Sequence, residues 1–173
     1  MIWKRALFLE DKDRIAQLND LRKILRPRPF NSRIKAIDQW VLGFIEGDGG
    51  FLVAVRPKQL VQNLPYIYTY FNITQKEKEV LEKIQSHLEM GNVKAKSKND
   101  LDKGYTYDIG QNAHLNQLIS RLDQLSFQCT AKYYDFVTWK IIQSMVCKGN
   151  HLKPATHQLI IKLIRSMHKY DKV

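Results

Sequence analysis

Apolar residues recur at helical spacing over residues 11 to 25, at Ile15, Leu18 and Leu25, until Arg26-Pro27-Arg28-Pro29 stops the pattern. A second helix is predicted through Ile37, Trp40, Val41, Phe44 and Ile45, with Asn31 or Ser32 available to cap its start and Gly47-Asp48-Gly49-Gly50 to end it. The period then changes. Residues 51–56 form a β-type run closed by Pro57, and residues 66–74 form another, so 58–65 should be a hairpin connection whose loose tip spans 59–65. Val80, Leu81, Ile84 and Leu88 mark an amphipathic helix over 77–90, stopped by Gly91-Asn92. Two strands, 93–96 and 105–109, follow around a turn-rich 97–104, and helices are predicted over 112–124, 130–147 and 154–168. The order ααββαββααα predicts an α+β fold with a four-stranded antiparallel sheet.

Alternation divides the strands into two faces. Ile67, Thr69, Phe71 and Ile73 should pack beneath the helices with Tyr107 and Ile109, which turns Tyr66, Tyr68, Tyr70 and Asn72 outward. By the same phase Leu52, Ala54, Arg56, Lys58, Lys94, Lys96, Thr106 and Asp108 share the outer face. Hydroxyls and amines on one sheet face suit a DNA groove, where Asn72 could pair with adenine. Loops 57–65 and 97–104 would extend such a footprint.

Composition sharpens this picture. The 173 residues, 44% hydrophobic, suffice for one domain with a real core. Lys plus Arg number 28 against 17 Asp plus Glu, a net charge of +11, which points to a polyanionic partner such as nucleic acid, with acidic membranes as the competitor. No apolar run is long enough to span a bilayer. The apolar residues 2–9 meet Glu10, Asp11 and Asp13 at once, which argues against both a secretion signal and an import presequence. Cys129 and Cys147 lack a CxxC pattern and are expected to be reduced core thiols. The five histidines form no HxxxH pair, so zinc is unsupported.

The chemistry concentrates in residues 40–51. Gly43 and Gly47 lie four apart and strip one helical face of side chains, so a second backbone can approach it. The helix ends on Asp48, whose carboxylate can present oxygen to a hard cation. Two copies packed face to face would bring two Asp48 carboxylates together. The stretch Val41-Leu42-Gly43-Phe44-Ile45-Glu46-Gly47-Asp48-Gly49 closely resembles the LAGLIDADG signature of homing endonucleases, with an aromatic residue before it and a strand after it. One copy is present, as in the homodimeric branch of that family, and the resemblance covers about residues 38–168. Residues 1–37 then form an N-terminal helix and basic linker, and 38–173 the endonuclease domain.

That resemblance implies an αββαββα core whose curved sheet, with helices on one face, enters the major groove. It implies a Mg²⁺-dependent endonuclease, with Mn²⁺ tolerated, that cuts both strands of a long, nearly palindromic DNA site and leaves short 3′ overhangs. Asp48 matches the family's metal ligand, with the Gly47 carbonyl as a further oxygen. Trp40, Gly43, Phe44 and Gly47 match the dimer interface. In Thr74-Gln75-Lys76 the glutamine corresponds to one that orders water near the metals, and Lys76 joins the DNA contacts. Thr130-Ala131-Lys132-Tyr133-Tyr134-Asp135-Phe136 resembles a helix opening whose lysine reaches the active site, which assigns Lys132 to polarising water or stabilising phosphate charge. The sequence departs from the pattern at Ala131, where the family often has a second lysine, and at Lys78-Glu79, where an arginine sometimes joins the water network. Glu46 is expected to cap or pair at the helix end. Two alternatives share the scaffold, an intron RNA maturase and a noncatalytic DNA-binding protein. One-motif members often come from introns of mitochondria or chloroplasts.

Overall fold

The structure is a computed structural model that describes residues 35–61, 63–97 and 103–167, with backbone alone at 58–60. The predicted helix at 11–25, the caps Asn31 and Ser32, and the side chain of Lys58 lie outside the described residues. Helix α1 (Ala36–Asp48) leads into strands β1 (Gly49–Val61) and β2 (Leu64–Gln75), then α2 (Lys78–Leu88), β3 (Asn92–Ala95) and β4 (Tyr105–Ile109). Helices α3 (Asn112–Leu122), α4 (Thr130–Cys147) and α5 (Pro154–Ser166) follow, with a 3₁₀ turn at Asn150–Leu152. The four strands form one antiparallel sheet in the order β1-β2-β4-β3. The predicted α+β class and αββαββα order are those of the structure.

The core lies between the sheet and the helices. Ile67, Phe71, Ile73, Tyr107 and Ile109 are buried from the strands, as their alternation predicts, and meet Val41, Leu42 and Ile45 of α1. Phe51 stands at the centre of an aromatic cluster, its ring 5.3 Å from those of Phe71 and Trp139 and 5.4 Å from that of Phe136. Such tilted contacts add to the stabilisation from buried area. Trp139 also donates its indole N–H to the Leu52 carbonyl at 3.1 Å, which ties α4 to β1. Thr69 is a polar residue on this apolar face, and its hydroxyl is satisfied by the side chain of Gln143, itself fully buried on α4.

Four local expectations need correction. Pro57 does not close β1, which continues to Val61 after a register shift between Arg56 and Leu60. As an edge strand β1 tolerates a residue without an N–H at such an irregularity. The hairpin tip is therefore much shorter than 59–65, since Val61 already pairs with Leu64. Helix α1 starts at Ala36 after Lys35, later than a cap at Asn31 or Ser32 would place it, and no side chain caps it. Both cysteines are free thiols, as expected, but exposed and outside the core. They occupy the two ends of α4, beyond the buried middle of that helix.

Candidate functional site

Helix α1 delivers Asp48 as its last residue, and the chain turns at once into β1. A Cβ on Gly49 would stand 2.6 Å from the Ile45 carbonyl oxygen, so so tight an exit requires glycine. Gly49 pairs with Ile73 on β2, which brings Gln75, two residues further on, beside the end of α1. The Gln75 Nε2 donates to Asp48 Oδ2 at 2.6 Å. From the helical layer, the Lys132 Nζ donates to the Gly49 carbonyl oxygen at 2.6 Å. The structure thus brings together Asp48, Gln75 and Lys132, residues from three separated segments.

Glu46 joins the same region from two residues earlier on α1. Its Oε1 accepts from the backbone N–H groups of both Gln128 and Cys129, each at 2.6 Å, immediately before α4 begins. Glu46 is expected to cap or pair at the end of α1, but the partners the structure gives it are the two residues that lead into α4.

The donor set suits part of a hard-cation shell. Asp48 is exposed and offers carboxylate oxygen. Among the described residues no group of three or more His, Cys, Asp or Glu side chains that could hold a metal ion gathers. Beside the carboxylate lies a bare surface. Among the described residues, and apart from the helix's own backbone and chain neighbours, no heavy atom stands within 4 Å of the place a Cβ would occupy on Gly43 or Gly47. Trp40 and Phe44 flank the stripe in edge contact at 4.8 Å, and Lys83 sits over the Trp40 ring at 5.1 Å.

The outer sheet face assembles as the alternation predicts. Leu52 pairs with Tyr70, Ala54 with Tyr68, Arg56 with Tyr66, Asn72 with Asp108 and Lys94 with Thr106, so these residues share one surface. Tyr66, Tyr68 and Tyr70 stack in a ladder, with centroids 5.7 and 5.8 Å apart. Arg56 lies over the Tyr68 ring at 4.8 Å and donates to its hydroxyl at 3.1 Å. Lys76 is exposed beyond the end of β2 and Lys96 beyond the end of β3. Two members differ from expectation. Thr106 is only 7% exposed, set between Thr74 and Lys94 on the neighbouring strands, and Asp108 forms an ion pair with Lys94. Sequence reasoning also missed why Gly50 is glycine: a Cβ there would lie 2.6 Å from the Asn72 Oδ1, so the missing side chain makes room for that carboxamide.

Among the described residues no helix is long and apolar enough to cross a membrane. A family model described as LAGLIDADG endonuclease matches residues 41–143, more than half of the chain. A search of curated proteins found no match. Among solved structures, the archaeal intron-encoded homing endonuclease I-Vdi141I, complexed with DNA, is 28% identical with a TM-score of 0.70, over 79% of this chain and 84% of that one. The homing endonuclease I-TnaI is 20% identical with a TM-score of 0.67, over 80% of this chain and 90% of that one. The meganuclease I-SmaMI, bound to uncleaveable DNA, is 25% identical with a TM-score of 0.68, and the match covers 76% of this chain but 44% of that longer one.

Proposed function

This chain belongs to the LAGLIDADG endonuclease family, and from that premise we propose that it acts as a homodimer making metal-dependent double-strand cuts in a long, nearly palindromic DNA site. The observation that carries the reading is the juxtaposition of Asp48, Gln75 and Lys132 at the foot of an open glycine face. Two such faces pressed together about a twofold axis bring two Asp48 carboxylates to one place, and with phosphate oxygens they complete a shell that one chain leaves partial. Symmetry of the protein then dictates near-symmetry of the DNA site.

Asp48 and the Gly47 carbonyl would hold the ion, Mg²⁺ or Mn²⁺ in its place. Bound there, it supplies Lewis-acid stabilisation of the attacking and leaving oxygens of an in-line displacement. Gln75 fixes the Asp48 carboxylate through its amide N–H and keeps its own carbonyl oxygen to accept a hydrogen bond from the attacking water. Lys132 adds positive charge where the phosphate becomes more negative. The outer sheet face, with its tyrosine hydroxyls, Arg56 and Asn72, lies in the major groove of one half-site. A noncatalytic scaffold has no need of the intact Asp48, Gln75 and Lys132 set.

The test is cleavage of a randomised duplex library in Mg²⁺, with recovery of the cut sequences. The wild type should yield duplexes cut on both strands at a fixed place, and Asp48→Asn should lose roughly a thousandfold or more in rate while still binding them. Recovery of no metal-dependent cut, or equal cutting by Asp48→Asn, overturns the proposal.

A further inference from the structure

Lys132 lies on a different element from Asp48, and something must set the distance between them. The middle of α4 is located by packing, through Phe136 and Trp139 against Phe51. Its first turn is held by Lys132 on the Gly49 carbonyl and by Tyr133 against Phe127, but it has no cap of its own: Cys129 at the N-cap makes no side-chain cap bond, and helix starts fray where backbone N–H groups lack partners. Glu46 supplies that missing anchor from α1, two residues before Asp48, by accepting the Gln128 and Cys129 N–H groups on one oxygen. Lys132 stands three residues past Cys129, about 4.5 Å along the helix, so a shift at the anchor moves the ammonium with it.

We propose that Glu46 is a positioning residue for strand cleavage: it locks the start of α4 to the end of α1, and so sets where the Lys132 ammonium stands relative to the Asp48 carboxylate. The catalytic part of this proposal rests on the endonuclease reading above. The role is one of reach, not of charge. Because both bonds end on a single oxygen, the carboxamide of Glu46→Gln can still accept them, whereas Glu46→Asp keeps the charge and withdraws the oxygen by one methylene.

Two experiments test it. In the first, which needs no DNA, amine acylation of the folded protein is followed residue by residue by mass spectrometry. Glu46→Asp and Glu46→Ala should raise the labelling rate of Lys132 severalfold, Glu46→Gln should leave it near wild type, and exposed Lys153 should label equally in all four proteins. In the second, single-turnover cleavage of a duplex recovered with the wild type should fall roughly ten- to a hundredfold in Glu46→Asp and Glu46→Ala. Glu46→Gln should recover most of that loss, and Glu46→Ala should add nothing in a Lys132→Met background. Unchanged Lys132 labelling, a Glu46→Gln protein worse than Glu46→Asp, or independent losses in the double variant would each overturn the positioning role. Failure of Glu46→Ala to fold leaves the comparison of Gln with Asp decisive. Absence of any cleavage by the wild type, with the labelling pattern intact, would instead strike at the endonuclease reading.

Discussion

The hydrogen bond from Gln75 to Asp48 has a direction, and the direction matters. An amide N–H can hold a carboxylate without competing for a cation, because the donor carries no negative charge of its own. Gln75→Leu removes the donor at similar volume and frees Asp48 to rotate. Cleavage should fall by about ten- to a hundredfold with DNA affinity retained, as single-turnover rates and equilibrium binding would show. Titration offers a second prediction at this scale. His151 is 9% exposed, and its pKa is lowered from the ordinary 6.5, first by burial and further by the neighbouring His157, against the opposing effect of hydrogen bonds that the ring donates to the Met145 and Val146 backbone. A depressed histidine pKa means that the unfolded chain binds the proton more readily, so the stabilisation is complete above pH 6.5 and is lost as pH falls below it. Urea midpoints should decline over that range more steeply in the wild type than in His151→Gln. The clustering of Asp48, Gln75 and Lys132 was legible in sequence because the glycine spacing and the terminal acid form one contiguous string, and Gln75 and Lys132 lie in short segments that resemble the family. Burial of Thr106 was not legible: alternation assigns a face, but not how tall the neighbours on the adjacent strands stand.

Helix α1 serves two surfaces at once. Val41, Leu42 and Ile45 seal the core while Gly43 and Gly47 lie exposed, and a helix that wanted only to be stable would not choose glycine there. Gly43→Leu is therefore diagnostic. Among the described residues the space beside Gly43 is open, and its φ is not in the left-handed region, so the variant should fold, its isolated protomer gaining about 0.5–1 kcal/mol from helix propensity while the wild type alone gains stability from association as concentration rises. Yet the added side chain should hold two copies apart. Sedimentation should show a dimer for the wild type and a monomer for Gly43→Leu, with cleavage lost in parallel; a Gly43→Leu dimer that still cuts would sink the interface. On the sheet, Tyr68 stands between Tyr66 and Tyr70, so it presents its edge and hydroxyl, and the outer two rings each have one face covered by it. Replacing all three by Phe should leave the thermal midpoint nearly unchanged while weakening binding to the recovered duplex. Strand β1 shows where sequence reading stops. Pro57 predicts a strand end, but whether proline ends a strand depends on whether the strand is an edge, which is a property of the assembled sheet.

At the scale of the molecule some ammonium groups already have a carboxylate partner. Lys94 pairs with Asp108, Lys78 with Glu82 and Lys140 with Asp123; each pair sums to zero within the net charge of +11, so the count of 28 Lys and Arg overstates what is free to meet a phosphate, although a paired lysine can exchange its carboxylate for one. Binding to a duplex of arbitrary sequence isolates the part that remains, because it depends on counterion release, with log K falling against log salt at a slope of about −0.9 for each phosphate neutralised. Dimerisation and charge then become a single measurement. If one protomer neutralises half the phosphates that a pair does, the slope for Gly43→Leu should be about half that of the wild type at the same protein concentration. Arg56→Gln should lower both slopes by amounts that also stand in a ratio of about two, because two copies of the residue are lost from the dimer and one from the monomer. Fluorescence anisotropy across a salt series reads all four slopes without knowledge of the target. Equal slopes for wild type and Gly43→Leu would mean that one subunit makes all the phosphate contacts, and the twofold arrangement on DNA would have to be abandoned even if the protein dimerises in its absence.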